Sequence, residues 1–229
     1  MRQAIIIGNG NSTKPLYDYG FKNIDTDKFD IYCTSLAFRF CDDLNFEPTY
    51  YVFSDPKSVK HQQNQLLRII DKWQSTKEYY LCCTMCCDTL KNHQKVRHIK
   101  HNGSGPAALQ VAIQKKIYDK IYIFGLDHNY TWIKKHVTFT GFQNCAIYKY
   151  DILNHPSYFY PNYIKKGDCI SYDMNAKDNE ETKIHCLFTQ QLIDNCKHSL
   201  IIDYSDSLLN CTKGKDISLI FENDDTINK

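Results

Sequence analysis

The stretch that decides the fold is Ala4-Ile5-Ile6-Ile7-Gly8-Asn9-Gly10-Asn11-Ser12, an apolar run followed at once by a turn rich in Gly and Asn. Four consecutive apolar residues predict a short strand buried on both faces, as in a parallel sheet. Glycines directly after a first strand let the backbone approach a phosphate. The spacing G-x-G lacks the third Gly of the dinucleotide fingerprint, so the turn suits a mononucleotide better than NAD. A plain tight turn is the alternative.

Short apolar runs recur along the chain and alternate with helical patterns. Strands are predicted at residues 4–7, 29–33, 50–53, 79–83, 120–124 and 200–203. Helices are predicted from Ser58 to about Trp73, from Gly105-Pro106 onward, and over residues 180–196. The last of these would bury Ile184, Leu187, Phe188 and Ile193. This alternation predicts an α/β fold with a single Rossmann-like, doubly wound, mostly parallel sheet.

One segment breaks the alternation. Residues 126–178 show no sustained periodicity and follow the fifth predicted strand, far exceeding the usual two to six residues of such a loop. They contain 11 of the 31 aromatic residues, which argues against a disordered insertion. Because ligands bind at the carboxyl ends of parallel strands, we interpret the segment as a lid. The predicted domain is residues 1–212 including this lid, and residues 213–229 are a polar tail.

Composition limits the partners and the compartment. With 28 Lys and Arg against 26 Asp and Glu, the chain is not a strongly basic nucleic-acid scaffold. The 11 cysteines are odd in number and dispersed, unlike the framework of a small secreted domain. The apolar run at residues 4–7 is too short for an export signal. We therefore expect free thiols and a cytoplasmic location.

A cysteine-rich stretch, Cys82-Cys83-Thr84-Met85-Cys86-Cys87, contains C-x-x-C. This spacing suggests zinc or redox chemistry, but no second C-x-x-C supplies the remaining ligands. The first two cysteines continue an apolar strand, and free Cys is commonly buried. We predict no metal site here.

Further candidate ligand groups follow other strands. His101-Asn102-Gly103-Ser104-Gly105 opens a helix whose amides can bind an anion. Asp55 and Asp127 each follow a strand, where a carboxylate can bind a ribose, a base edge or a metal. Either could instead cap a helix or a turn.

The motifs together resemble a family. They are Ile-Ile-Gly-Asn-Gly-Asn-Ser near residue 6, Phe-Asp-Ile-Tyr-Cys-Thr-Ser at 29–35, Val-Phe-Ser-Asp-Pro at 52–56, Gly-Ser-Gly-Pro-Ala-Ala-Leu at 103–109 and Ile-Tyr-Ile-Phe-Gly-Leu-Asp at 121–127. Their order resembles that of bacterial Rossmann-type sialyltransferases of lipooligosaccharide synthesis, which use CMP-sialic acid. It also resembles the wider group of 6-hydroxymethylpterin pyrophosphokinase-like proteins of surface-glycan clusters, to which Asp55-Pro56 is closer.

The resemblance implies roles for particular residues. Gly8, Asn9, Gly10 and Ser12 would line the cytidine and phosphate, and Ser104 and Gly105 would contact the nucleotide. Ser35 and Asp55 stand where the sialyltransferases have asparagines that touch donor and acceptor. Asp127 and His128 complete the predicted nucleotide site. The general base of that family is a lid histidine, for which His155 is the best match, with His136 and His185 as alternatives.

The physical chemistry of such a transfer agrees with these roles. A hydroxyl nucleophile needs a general base with a pKa near neutrality, which favours His. The departing phosphate needs hydrogen-bond donors, which Tyr130, Tyr158 and Tyr160 or His128 can supply.

The leading hypothesis is therefore an inverting, metal-independent glycosyltransferase. It moves sialic acid or a related sugar acid from a CMP-activated donor to a glycan hydroxyl, and needs no cofactor besides that donor substrate. Peripheral contact with a membrane-linked acceptor and self-association remain open, and nucleic acid is not expected. The alternatives are a nucleotide diphosphokinase-like enzyme using Mg²⁺ through Asp55 and Asp127, and a noncatalytic nucleotide- or glycan-binding module.

Overall fold

A computed structural model of the chain describes residues 2–100, 103–128, 136–140, 145–171 and 180–221. Its strands are β1 (Arg2–Ile7), β2 (Phe29–Thr34), β3 (Tyr50–Phe53), β4 (Glu78–Leu81), β5 (Val96–His98), β6 (Tyr118–Phe124), β7 (Val137–Phe139), β8 (Cys145–Tyr148), β9 (Cys169–Ser171), β10 (Leu200–Asp203) and β11 (Thr212–Lys213). Eight of them form one sheet in the order β11-β10-β6-β1-β2-β3-β4-β5. Every neighbouring pair in this sheet is parallel, which confirms the predicted α/β, Rossmann-like fold.

The sequence of β1 explains its central place. Ile5 and Ile7 belong to the core on one face of the sheet, while Ala4 and Ile6 belong to the core on the other face. Successive strand residues point to opposite faces, so a strand covered on both sides must be apolar at every position. All six predicted strands are present, with ends that differ by at most two residues.

Helices cover both faces of the sheet. They are α1 (Lys14–Tyr19), α2 (Phe38–Asp43), α3 (Pro56–His61), α4 (Gln63–Lys72), α5 (Asp88–Lys91), α6 (Ser104–Lys115), α7 (Glu180–Asn195) and α8 (Ser218–Phe221). Residues of α1 to α5 pack into one core, and residues of α6 and α7 pack against the other. The sheet is therefore doubly wound.

The predicted helix from Ser58 to Trp73 is wrong in two respects. It is two helices, because Gln62 leaves helical geometry between α3 and α4. The N-cap is Asp55 and not Ser58, since the Asp55 carboxylate accepts from the amides of Lys57 and Ser58. A carboxylate is a strong capping group because it satisfies amides that have no intrahelical partner.

Sequence patterns missed the shortest elements. β5 has three residues, and Arg97 and His98 are exposed at the sheet edge, so no apolar pattern marks it. It makes Tyr118–Phe124 the sixth strand, and the predicted lid follows that strand and not the fifth. Within residues 126–178, β7, β8 and β9 form a small antiparallel sheet. We call residues 136–140 and 145–171 the cap.

The C-terminal region departs from the predicted tail. Lys213 pairs with Asp203 in the main sheet, and Ile220 is buried in the core. The Phe221 ring stacks on Tyr19 with centroids 3.9 Å apart. Residues 213–221 are thus part of the domain.

The predicted buried face of α7 is also partly wrong. Ile184 and Leu187 are 63% and 65% exposed, while Phe188 and Ile193 are half-buried. Apolar residues spaced three and four apart share a face of a helix, but which face meets the sheet is decided by packing.

Candidate functional site

The strand order reverses direction between β1 and β6, with β2 to β5 on one side and β10 and β11 on the other. Ligands of open α/β sheets bind at such a switch point, outside the carboxyl ends of the strands. Here the two strand ends are in direct contact, because a Cβ on Gly8 would collide with the carbonyl oxygen of Gly125. Gly125 has a φ of +69°, which favours glycine.

The first glycine turn already uses many of its amides. Gly8 N–H donates to the Phe124 carbonyl at 2.8 Å, and Gly10 N–H donates to the Gly125 carbonyl at 3.1 Å. The amide of Ser12 donates to Asp127 at 3.1 Å, and the Ser12 hydroxyl donates to the same carboxylate. Asp127 therefore stands where a bound anion would meet Ser12. The glycines serve close packing, and the predicted phosphate cradle at residues 8–12 gains no support.

Asp127 and Asp55 are both engaged with their own loops. Asp127 also accepts from the amide of Asp206 at 3.2 Å, and it is buried. Asp55 accepts from the Ser58 hydroxyl at 2.8 Å besides capping α3. Of the two interpretations open for these residues, the structure shows the cap and the turn.

Ser35 directly follows β2 and has a φ of +55°. Its carbonyl accepts a hydrogen bond from the hydroxyl of the buried Tyr51. The neighbouring amide, that of Leu36, donates to the hydroxyl of Tyr163 at 3.0 Å. The end of β2 is thus joined to the cap.

The second glycine turn differs from the first. Gly103 is the N-cap of the 12-residue helix α6 and makes no side-chain cap. The amides of Ser104 and Gly105 have no hydrogen-bond acceptor among the described residues. The Ser104 hydroxyl accepts from the amide of Ser54 at 3.0 Å, which fixes the start of α6 beside the end of β3. Two uncapped amides at a positive helix end favour an anion.

His185 lies at this helix end, with His128 next to it. A Cβ on Gly103 would lie 3.1 Å from the imidazole ring of His185. Burial, then the neighbouring His185, lowers the pKa of His128 to about 4, so His128 is neutral at pH 7. The Thr189 hydroxyl donates to the His185 carbonyl at 2.7 Å and lies 3.4 Å from His128 Nε2. We call Gly103, Ser104, Gly105, His128 and His185 the α6 site.

The cap is fixed to the helices by a buried ion pair. Arg39 of α2 donates twice to Asp168, at 2.6 and 2.7 Å, and Gln62 donates to Asp168 at 3.0 Å. The Arg39 side chain is largely buried and the Asp168 side chain almost fully. Sequence reasoning missed this cluster, because the three residues are far apart in the chain and match no motif.

A second set of contacts joins the cap to the first glycine turn. The amide of Phe159 donates to the Asn9 carbonyl at 3.3 Å, and the Asn11 side chain donates to the Pro156 carbonyl at 2.6 Å. The Asn9 side chain is buried and donates to the Thr34 carbonyl at 3.1 Å. Its Oδ1 atom is buried and has no partner in the described part of the chain.

His155 lies in this same part of the cap, and only 5% of it is exposed. Its Nδ1 accepts from the amide of Ser157 at 3.1 Å. Burial, then the charge of His136, lowers the pKa of His155 to about 4. A neutral imidazole whose Nδ1 accepts must carry its proton on Nε2. Nε2 is buried without a partner among the described residues, and this arrangement favours His155 as a hydrogen-bond donor over the predicted role of general base.

The predicted tyrosines occupy different surroundings. The Tyr158 ring lies 4.6 Å from that of His155 and 4.5 Å from that of Tyr163, between centroids. The Tyr160 hydroxyl donates to Asp43, and burial followed by this contact raises the pKa of Tyr160. Tyr130 lies outside the described residues.

The other two candidate bases are separated. His136 is close enough to His155 to affect its pKa, and its Nδ1 is buried with no partner in the described ranges. His185 lies at the α6 site. Within the described residues, no group of three or more His, Cys, Asp or Glu could hold a metal ion, and this includes the C-x-x-C stretch.

Strand order and helix placement define an α/β protein with a Rossmann-like sheet and an antiparallel cap over its carboxyl edge. No family model and no curated protein matches the chain. A solved structure, the dTDP-glucose 4,6-dehydratase of Bacillus anthracis str. Ames in complex with NAD, is similar at 8% identity and a TM-score of 0.28. The match covers 89% of this chain and 54% of the dehydratase, so the chain spans about half its length. A likeness this weak carries no argument about function.

None of the helices in the described ranges is long and apolar enough to cross a membrane.

Proposed function

We propose that the protein is a glycosyltransferase that moves sialic acid or a related sugar acid from a CMP-activated donor to a glycan hydroxyl. The observation that carries this proposal is the α6 site at the carboxyl edge of the sheet, where two amides without an acceptor among the described residues lie beside His185. The sequence likeness to sialyltransferases supplies the class of donor.

The α6 site suits the phosphate of the nucleotide. The amides of Ser104 and Gly105 and the positive end of the helix dipole stabilise an anion, including charge that develops on a leaving phosphate. His185 is placed to donate to the same group. This moves the proposed phosphate contact from residues 8–12 to the second glycine turn.

The acceptor side is assigned to the cap. A buried donor left without a partner costs about 1–3 kcal/mol, so His155 Nε2–H favours a substrate oxygen in front of it. Tyr158 and Tyr163 supply aromatic surface beside it. In this scheme the proton of the attacking hydroxyl goes to His136, which lies in the cap, and His155 orients or stabilises an oxygen.

The Mg²⁺-dependent alternative has no observation in its favour. It requires Asp55 and Asp127 as metal ligands, and both carboxylates accept several hydrogen bonds from neighbouring protein groups. Activity that survives excess EDTA would agree with the glycosyl-transfer proposal.

The direct experiment combines nucleotide binding with turnover. We expect CMP to raise the melting temperature more than UDP, GDP or ATP, because a ligand that binds only the folded state stabilises it by mass action. Replacing one hydrogen-bonding group typically costs about 0.5–1.5 kcal/mol, so His185→Gln should weaken CMP binding about two- to tenfold.

The matched control is His61→Gln, an exposed residue at the end of α3. It should bind CMP as the wild type does. Equal weakening in both variants, or no nucleotide preference at all, contradicts the α6 site. Selective CMP binding without CMP release from any CMP-activated sugar acid would indicate the noncatalytic binding module instead.

A further inference from the structure

The cap contains two cysteines whose sulfur atoms are in contact. Cys145 of β8 and Cys169 of β9 have their Sγ atoms 2.8 Å apart. In the antiparallel register Ile147 is opposite Cys169, so Cys145 lies two residues from that pair and on the same face of the sheet. A disulfide has an S–S length of about 2.05 Å, so a bond requires a movement of less than about 1 Å.

We propose that Cys145 and Cys169 form a reversible disulfide that closes the β8–β9 hairpin of the cap. This inference does not depend on the proposed function. The part of the chain that the structure describes contains all 11 cysteines as thiols, so the proposal concerns a modification of this state.

The two thiols differ in access. Cys145 is half-buried, whereas Cys169 is buried. Burial, followed by the hydrogen bond with Cys145, raises the pKa of the Cys169 thiol. Cys145 is therefore the thiol that a small disulfide reaches first, and Cys169 is the one that resolves the mixed disulfide.

The oxidant in this scheme is a low-molecular-weight disulfide such as oxidised glutathione. The Cys145 thiolate, having lost its proton to water, attacks one sulfur and expels a thiolate, leaving a mixed disulfide on Cys145. Cys169 then loses its proton and attacks the Cys145 sulfur, expelling the second thiolate. Two protein thiols are oxidised by two electrons in total, and the small disulfide is reduced to two thiols.

The bond would join β8 to β9, a strand that is anchored to the body of the protein. The Cys169 carbonyl accepts from the Ser58 hydroxyl of α3 at 2.9 Å, and the preceding Asp168 holds Arg39. The Tyr148 ring of β8 lies 6.5 Å from His155, between centroids. Oxidation would thus restrain one wall of the His155 surroundings.

A second buried pair provides an internal comparison. Cys33 and Cys41 have their sulfurs 3.9 Å apart and are both fully buried. Because neither thiol is accessible from solvent and the sulfurs are farther apart, we expect this pair to stay reduced while Cys145 and Cys169 are oxidised.

The experiment uses the full chain, reduced and then equilibrated with defined ratios of oxidised to reduced glutathione. Peptide mapping by mass spectrometry without reduction should recover Cys145 joined to Cys169, with a mass lower by two hydrogens, and this should reverse in dithiothreitol. Cys169→Ser should leave Cys145 as a glutathione adduct. Cys87→Ser, which removes an exposed thiol, should leave the linkage unchanged.

Wild-type mapping decides the question even if a variant fails to fold. Recovery of Cys145 and Cys169 as separate free or glutathione-modified thiols overturns the proposal, as does a linkage of either to another cysteine. Hydrogen exchange provides a second measure. The amides of Ala146 and Ile147 should exchange at least severalfold more slowly in the oxidised protein, with Ile5 and Ile7 unchanged, and equal rates in both forms would contradict closure of the hairpin.

Discussion

At the scale of single residues, the Asp127 carboxylate occupies the place that a phosphate would take in the glycine turn at residues 8–12. Glycines after a first strand are associated with phosphate binding because they leave amides exposed. The Asp127 carboxylate accepts hydrogen bonds from the amide and the hydroxyl of Ser12. The amides of Gly8 and Gly10 donate to backbone carbonyls at the end of β6. The same short glycine spacing therefore serves strand-to-strand packing, whereas the amides of Ser104 and Gly105 have no acceptor in the described part of the chain.

The protonation of His155 is a testable consequence at this scale. We expect a pKa of about 4, caused first by burial and then by His136, with the proton of the neutral ring on Nε2. Because the folded pKa lies below the unfolded value of about 6.5, the neutral ring stabilises the fold above that pH, and the stabilisation is lost on acidification.

Nitrogen-15 NMR of the imidazole measures both properties. The exposed His61 provides the reference signal. A titration of His155 near 6.5, or a proton on Nδ1, would restore it as a candidate general base.

At the scale of elements, the cap is a small sheet anchored at particular points. Asp168 accepts hydrogen bonds from Arg39 of α2 and from Gln62, which lies between α3 and α4. The Tyr163 hydroxyl accepts a hydrogen bond from the amide of Leu36. The helix predicted over residues 58–73 is divided at the position of one of these contacts. Gln62 lies at the break, and its side chain faces the cap.

Loss of the anchor should therefore open the cap. Removing one partner of a buried ion pair costs about 3–5 kcal/mol, because the other charge remains buried. In Asp168→Asn we expect faster hydrogen exchange at Tyr148 and Ile152, whose amides bond within the cap. Exchange at Ile5 and Ile7 in β1 should change much less.

Asp18→Asn is the matched control, because Asp18 pairs with Lys14 on the exposed surface. Exposed pairs of this kind contribute about 0.3–0.5 kcal/mol. A uniform acceleration across the chain in Asp168→Asn would show that the ion pair supports the whole domain and not the cap.

At the scale of the whole molecule, the amino ends and the carboxyl ends of the parallel strands form two edges of the sheet with different contents. The amino edge is held by Asp30 of β2, which accepts from Arg2 of β1 at 2.8 Å and from the Tyr118 hydroxyl of β6 at 2.8 Å. The carboxyl edge carries the α6 site and the cap. Among the described residues, buried polar atoms without partners occur at both edges: Gln3 Oε1 and Asp119 Oδ1 near the amino edge, and Asn9 Oδ1 and His155 Nε2 near the carboxyl edge.

The Asp30 cluster predicts a pH dependence of stability. Burial alone would raise the pKa of Asp30, but hydrogen bonds from Arg2 and Tyr118 and the charge of Lys77 outweigh it, so the pKa is lowered. A lowered folded pKa means that the stabilisation is present above the unfolded value of about 3.9 and is lost as the pH falls through the folded value.

Urea unfolding of Asp30→Asn at several pH values checks this. At pH 7 we expect a loss of about 3 kcal/mol, and the difference from wild type should shrink below about pH 4. Asp71→Asn, on the exposed side of α4, should differ little from wild type at any pH. If the free energy of unfolding of Asp30→Asn is lower than that of wild type by the same amount at every pH, the packing of the Asp30 side chain, and not its charge, accounts for the loss.

The sequence by itself determined the sheet and its parallel sense. Continuous apolar runs such as Ala4-Ile5-Ile6-Ile7, each followed by a helical pattern, are satisfied only by strands covered on both faces. It also located the α6 turn, because Gly and Pro at a helix start are local signals. Only the tertiary structure decided that the first glycine turn donates its amides within the fold, how the cap is anchored and which face of α7 is exposed. Those outcomes depend on contacts such as Ser12 with Asp127 and Arg39 with Asp168, 115 and 129 residues apart, and local sequence patterns carry no information about partners at such distances.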